Sequence, residues 1–346
     1  MIISFNPSIF RNQDTEIQDI LAKILIILLE TDIHFIDFKS INFIFYDENG
    51  SYIFNSNSIS EKHLSFKNQN SLKDLLGKRN RINITSLHEQ YLTRIIVGVD
   101  MSKKEIHPES VYRMIKERSK IIVENGINDW KFIQGICQKY SGSRAERGSI
   151  YKLVDKSIKG GAIEAEGCGG IGEIKKVTER WINDERYKNI FKYKLMAIFD
   201  SDRKKPDELP RHKKAIEYFK KRNINNIIDH QYEVTDLILW HSLYKKKIEN
   251  YVPLNVLLSN IESINQDQKD ILSAKTNEEL DFIEYTQTNI GIGGSQVKDQ
   301  FPKLFLCTFS YHDFEERCKH HKVFLAEAKE NVSEIEQILL KIAKIL

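Results

Sequence analysis

The chain has 346 residues, of which 52 are Lys or Arg and 49 are Asp or Glu, so its formal net charge is +3. A near-neutral chain is not a uniformly basic protein of the kind that coats nucleic acid, so any basic surface on it has to be local. The most apolar run, residues 20–30, is too short to cross a bilayer and contains Lys23, and the first residues do not resemble a secretory signal. Four scattered cysteines without a C-x-x-C pair favour a reducing compartment, so we expect a cytoplasmic protein with no membrane partner.

The first 110 residues predict a small α+β accessory domain. Apolar residues at helical spacing over residues 14–31 predict a helix. Two β-rich runs flank Asn49-Gly50 within residues 41–56, and this dipeptide, which tolerates positive φ, predicts a hairpin. Residues 93–101 predict a strand. This domain shows no catalytic constellation, which is typical of a docking or scaffold module.

Strands and helices alternate from residue 111 to residue 255. The strands are predicted at residues 120–123, 162–167, 192–199 and 224–231, with helical spacing between them and around Trp240. This alternation predicts an α/β domain, with a parallel sheet and helices on both faces. Residues 256–346 predict a mostly helical C-terminal region that packs on this domain and ends in a helix over residues 323–346.

Three acidic residues stand directly after predicted strands. Glu124 follows one strand, and Asp200 and Asp202 follow another. The carboxyl ends of parallel strands share one edge of the sheet, so these carboxylates are expected to converge there. Clustered carboxylates repel one another unless a cation lies between them, and oxygen ligands with open positions suit Mg²⁺ or Mn²⁺. The sequence therefore predicts a divalent metal site.

A glycine-rich turn lies between the two acidic strand ends. Gly167, Gly169 and Gly172 spell the G-x-G-x-x-G of dinucleotide-binding folds. The turn follows the second strand of its domain rather than the first, and no acidic residue ends the next strand about 20 residues later. A nucleotide-binding Rossmann-like protein therefore stays an alternative. We expect this turn to bind a nucleic-acid phosphate instead, together with a basic run that begins after Asp202. The phosphate-binding candidates are Gly169, Gly170, Gly172, Arg203, Lys204 and Lys205.

The segments "KIIVENGIND", "AIEAEGCGGIGEI" and "LMAIFDSDR" together resemble the TOPRIM domain, a Rossmann-like fold shared by topoisomerases, primases and OLD-family nucleases. In addition, "LYKKKIENYVP" at residues 243–253 is similar to the "EIENYL" segment of OLD-like (overcoming lysogenization defect) nucleases. Two positions depart from that pattern. Asn128 stands where the family has an Asp, with Asp129 next to it, and Lys247 stands where the family has its first Glu.

The resemblance implies a Mg²⁺- or Mn²⁺-dependent endonuclease that cleaves DNA or, less expectedly, RNA. The implied metal ligands are Glu124, Asp200, Asp202 and Glu249, and Lys247 joins the first three as a catalytic residue. Glu249 is equally compatible with a structural role. No G-x-x-x-x-G-K-[ST] motif occurs, so the resemblance also implies a separate ATPase partner that gates an antiviral effector, with a homo-oligomer as a further expectation. A TOPRIM-fold nucleic-acid-binding module with little catalysis is the other alternative.

Overall fold

The computed structural model describes residues 1–46, 49–51, 64–79, 89–142, 147–187, 190–224, 238–287, 290–307, 309–325 and 329–346. Two parallel sheets, one of three strands and one of four, are flanked by helices. A helical C-terminal region with a two-stranded hairpin follows them.

The N-terminal sheet is parallel, with the strand order β2-β1-β3. Its elements are β1 (Ile2–Phe5), α1 (Thr15–Glu30), β2 (Phe35–Ile36), α2 (Phe38–Phe45), α3 (Phe66–Arg79) and β3 (Arg94–Val97). The helix predicted at residues 14–31 is confirmed, and the strand predicted at residues 93–101 is confirmed over Arg94–Val97 only. The α+β prediction is wrong, because β1 pairs in parallel with both β2 and β3, as in an α/β unit.

The hairpin predicted around Asn49-Gly50 is also wrong in its first half, which forms the helix α2. The side chain of Asp37 accepts a hydrogen bond from the Lys39 amide and caps this helix. Ile41, Ile44 and Phe45 are buried at helical spacing. The segment is therefore helical despite its β-rich composition, because a helix buries these apolar side chains on one face. Most of the second half lies outside the described residues.

The second sheet is parallel, with the strand order β5-β4-β6-β7. Its elements are α4 (Pro108–Lys116), β4 (Ser119–Val123), α5 (Asn128–Ser141), α6 (Gly148–Lys159), β5 (Ile163–Gly167), α7 (Ile174–Ile182), α8 (Phe191–Lys194), β6 (Leu195–Phe199), α9 (Lys213–Ile224) and β7 (Leu239–Ser242). Ile121 and Val123 face one apolar cluster and Ile122 faces another, so β4 is buried on both faces.

Two predictions for this sheet need correction. Trp240 lies on the strand β7 rather than on a helix, and its ring stacks on Phe199 and Phe219. The helix α9 continues to Ile224, where a fourth strand was predicted, and residues 225–231 lie outside the described residues.

The C-terminal region packs on the same apolar cluster as β4 and α5. Its elements are α10 (Leu254–Asn260), α11 (Gln266–Ser273), α12 (Asn277–Phe282), α13 (Gly294–Leu304), α14 (Tyr311–Cys318), β8 (Lys322–Leu325), β9 (Glu330–Ser333) and α15 (Glu334–Lys344). The terminal helix begins at Glu334, capped by Ser333, because the antiparallel hairpin β8-β9 occupies the start of the predicted span. In the described part of the chain, no helix has the length and apolar character needed to cross a membrane.

Candidate active site: acidic residues at the carboxyl edge of the sheet

Glu124 and the glycine turn lie against each other at the carboxyl ends of β4 and β5. The amides of Cys168 and Gly169 donate to the carbonyl oxygens of Val123 and Glu124, at 2.8 and 3.1 Å. A Cβ atom at Gly167 would lie 3.0 Å from the nitrogen of Gly126, so the two loops touch through their backbones. This close packing fixes the position from which the Glu124 side chain projects.

The two aspartates of the D-x-D segment follow β6, next to Glu124. The Asp200 amide donates to Glu124 Oε1 at 3.2 Å, and the buried Ser201 donates its hydroxyl to Lys245 O at 2.7 Å. Asp202 has φ +50°, in the left-handed region, and its amide donates to Lys246 O at 3.0 Å. A non-glycine residue held in this region stores about 1–3 kcal/mol of strain, which persists only where the surrounding contacts impose it.

The segment Lys245–Asn250, which we name the lysine loop, follows β7 and brings Glu249 to the same edge. The amide of Ile248 donates to Asp200 Oδ1 at 3.2 Å, so the loop holds the first aspartate directly. The three lysines of the loop diverge. Lys245 and Lys246 pair with Asp281 and Glu284, each at 2.7 Å.

Lys247 is the lysine of this loop that interacts electrostatically with the acidic residues as a group. Burial opposes its charge, but Glu284, Asp202, Glu249 and Asp200 outweigh burial and raise the pKa of Lys247. Its Nζ lies 3.8 Å from Glu284 Oε2. The structure thus brings Lys247 together with the predicted carboxylates, while Lys245 and Lys246 form their ion pairs with Asp281 and Glu284.

Five carboxylates, which we name the acid cluster, influence one another's ionisation: Glu124, Asp129, Asp200, Asp202 and Glu249. Burial raises the pKa of Asp200 well above its usual value, and the other four acidic residues raise it further. Burial is also the main reason that the pKa values of Asp129 and Glu249 rise, to about 6 and about 7. Burial raises the pKa of Glu124 in the same way. The charged forms of these four carboxylates are therefore disfavoured where they are buried beside one another without a cation between them.

Asp202 is the one carboxylate of the acid cluster whose pKa is lowered, because a histidine that the sequence analysis did not single out lies beside it. His212 Nε2 is 3.1 Å from Asp202 Oδ2. This contact lowers the pKa of Asp202, and the same contact raises the pKa of His212. His212 comes ten residues after Asp202, outside any motif, so only the folded loop reveals it. The sequence analysis left the role of Asp129 undecided. In the structure, Asp129 Oδ2 accepts a hydrogen bond from the Asn125 amide at 2.8 Å.

The predicted phosphate-binding residues do not form one group. Gly169 and Gly170 have φ +75° and +130°, and the amide of Ile171, which follows them, favours the ionised form of Glu124. The amide at the end of this turn therefore faces a glutamate of the protein itself, while the Cys168 and Gly169 amides donate to backbone carbonyl oxygens. Gly172 is exposed, and a Cβ there would meet nothing within 4 Å.

The three basic residues after Asp202 also separate. The Arg203 guanidinium lies 5.6 Å from the centroid of the Tyr244 ring and lines a cavity of about 720 Å³ beside β7. Lys204 and Lys205 are exposed and line a different cavity, of about 420 Å³, together with Lys275. The positive charge after the D-x-D segment is therefore spread over two different cavities.

Comparison with known proteins finds no matching family model, curated protein or solved structure. The chemistry of the acid cluster has to be judged from its own geometry.

The acid cluster offers the type of donor atom that a hard cation prefers, but its side chains are not already arranged around a cation. Within the described residues, no three or more His, Cys, Asp or Glu side chains are grouped closely enough to hold a metal ion. The Glu124 and Asp200 carboxylates accept from backbone amides, and Asp202 faces His212. The donors are nevertheless oxygen atoms in a half-buried, mutually repelling set, which is the ligand type that Mg²⁺ and Mn²⁺ prefer.

Proposed function

We propose that this protein is a Mg²⁺- or Mn²⁺-dependent nuclease that cleaves phosphodiester bonds of DNA or RNA. The observation that carries the proposal is the acid cluster, in which loops after β4, β6 and β7 bring Glu124, Asp200 and Glu249 within electrostatic range of one another, with Lys247 beside them. Perturbed carboxyl pKa values gathered at the carboxyl edge of a parallel sheet are typical of a functional site.

Each residue has a definite part in this proposal. Glu124, Asp200 and Asp202 would hold the cation, with Glu249 as a further ligand. Asp202 would give up its contact with His212 to bind the cation. When bound, the cation polarises a phosphate oxygen and lowers the pKa of a coordinated water. Glu124, whose pKa burial raises, is the residue that accepts a proton in this proposal.

Positive charge at the site has two sources in this proposal. The Lys247 ammonium stabilises charge that develops on the phosphate in the transition state. Arg203, Lys204 and Lys205 line the two cavities described above, and in this proposal they contact the phosphate backbone of the substrate.

The finer identity of the proposal is a TOPRIM fold of the OLD-like type, acting in antiviral defence under the control of a separate ATPase. It rests on the resemblance of the three strand-end segments and of the "KIENY" segment. No observation favours the dinucleotide-binding alternative, because the glycine-turn amide that would meet a pyrophosphate faces Glu124.

Two measurements on purified protein, metal binding and plasmid nicking, test the proposal. The binding measurement does not depend on a partner protein. Calorimetric titration with Mn²⁺ is expected to show binding that Glu124→Gln and Asp200→Asn each weaken at least tenfold. Supercoiled plasmid is expected to be nicked in Mn²⁺ by the wild type and not by these variants. Glu262→Gln, at an exposed position of the C-terminal region, is the control for both measurements. Wild-type protein that binds no Mn²⁺ but binds NAD would overturn the proposal, as would nicking that persists in the two variants.

A further inference from the structure

A buried ionic network joins the lysine loop to the C-terminal region. Asp281, with 0% of its surface exposed, accepts hydrogen bonds from Lys245 at 2.7 Å and from Arg317, and pairs with His320 at 2.6 Å. Lys245 and Arg317 are only 1% and 3% exposed. One carboxylate from the helix α12 thus gathers cationic partners from the loop and from the segment around α14.

Lys246 connects this network to the D-x-D segment through its backbone. Its amide donates to Asp281 O at 2.9 Å, and its carbonyl oxygen accepts from the Asp202 amide at 3.0 Å. The preceding carbonyl oxygen, of Lys245, accepts from the Ser201 hydroxyl. The residue that holds Asp202 in its left-handed conformation is therefore itself hydrogen-bonded to Asp281.

The far end of the lysine loop is tied to the same region. Arg317 Nη2 donates to Asn250 O at 2.6 Å. Asn250 Nδ2 donates to Leu280 O and Ile283 O, at 2.9 and 3.1 Å, on either side of Asp281. Both ends of the loop are thus fixed to the C-terminal region, and between them lies the Ile248 amide that binds Asp200.

Stability alone does not account for this network. Burying an ion pair costs desolvation energy, and apolar replacements of such networks are often neutral or stabilising. Directional ionic contacts do hold a loop in one arrangement, which the strained backbone of Asp202 requires. Residues that orient the ligands of a metal typically change its affinity by about 10–100-fold when they are mutated.

We propose that Asp281 is a positioning residue of the acid cluster, and that the C-terminal region completes the site by holding the lysine loop against Asp200 and Asp202. This inference rests on the proposed metal-dependent function. It assigns a role in the site to a residue that does not touch the acid cluster.

The test compares Mn²⁺ affinity and folding stability in the same set of variants. Asp281→Asn removes the charge, and Lys245→Met removes the tie between loop and network while Asp281 keeps Arg317 and His320. The matched control is Glu336→Gln, which breaks half-buried contacts with Arg147 and Tyr151 and touches no residue of the lysine loop. Urea unfolding defines conditions under which every variant is folded, and calorimetry under those conditions gives the dissociation constant for Mn²⁺.

Asp281→Asn and Lys245→Met are each expected to raise the Mn²⁺ dissociation constant by about 10–100-fold. Glu336→Gln is expected to leave it within about twofold, even where its stability falls. If Asp281→Asn fails to fold, Lys245→Met decides the question. Folded variants that bind Mn²⁺ as tightly as the wild type would overturn the inference and leave the proposed function intact. A wild type that binds no Mn²⁺ would overturn both.

Discussion

Neutralising Glu249 is expected to stabilise the metal-free protein. Burial, with the charges of Asp129 and Glu284, raises the pKa of Glu249 from 4.5 to about 7. The folded state therefore binds this proton more tightly than the unfolded state does, and stability is lost as the pH rises from 4.5 towards 7. The displacement of about 2.5 units, at about 1.4 kcal/mol per unit, is roughly 3 kcal/mol at pH 8.

The variant Glu249→Gln removes this penalty, so its free energy of unfolding in EDTA at pH 8 is expected to exceed that of the wild type by up to about 3 kcal/mol. At pH 5 most of the penalty is absent, and the difference is expected to shrink to about 1 kcal/mol. Urea denaturation followed by circular dichroism measures both values. Glu262→Gln, at an exposed position, is the control and is expected to stay within about 0.5 kcal/mol at either pH. No gain at pH 8, or a gain that is equal at pH 5, refutes the assigned burial of the Glu249 charge.

Two further predictions concern the fold around the site. Gly135→Ala places a Cβ atom 2.6 Å from the Phe305 carbonyl oxygen, so urea unfolding is expected to show that the free energy of unfolding falls by about 1–3 kcal/mol. The control is Gly142→Ala, whose Cβ atom would lie 3.8 Å from its nearest neighbour. Equal losses in the two variants would contradict the packing of α5 against Phe305. Burial lowers the pKa of Lys194 from 10.5 to about 8, so the unfolded state binds this proton more tightly and wild-type stability is expected to gain roughly 3 kcal/mol from Lys194 between pH 8 and 10.5. Lys194→Met is expected to lose that part of the pH dependence, and an unchanged pH profile would show that the ammonium is solvated.

The parallel sheet after residue 111 was predictable because its two central strands, β4 and β6, are buried on both faces. Such strands contain short continuous apolar runs, as residues 121–123 and Leu195–Phe199 show, and they differ in period from the amphipathic helices between them. The convergence of Glu124 and Asp200 followed from the rule that parallel strands end at one edge. These inferences need only local pattern and one topological rule.

The errors and omissions arise where distant segments decide the structure. The residues around Ile41 and Phe45 have β-rich composition, but the Asp37 cap and the burial of one face make them helical. The strand Ile2–Phe5 has only four residues and partners that begin 33 and 92 residues further along the chain. His212 and Asp281 belong to no motif, because their roles come from how their segments pack against the D-x-D segment and the lysine loop.

The contacts of the lysine loop with the C-terminal region also set an order of events during synthesis. Glu334 accepts from the Tyr244 amide and from the Tyr251 hydroxyl, on either side of the loop, and it follows Glu249 by 85 residues. At about 5–20 residues per second, a ribosome makes that stretch in roughly 4–17 s. During this interval the acidic residues have been made but the residues that hold them in register have not. If the protein is the nuclease proposed above, a nascent chain stays inactive until α15 is made, which limits cleavage of the cell's own nucleic acid during synthesis.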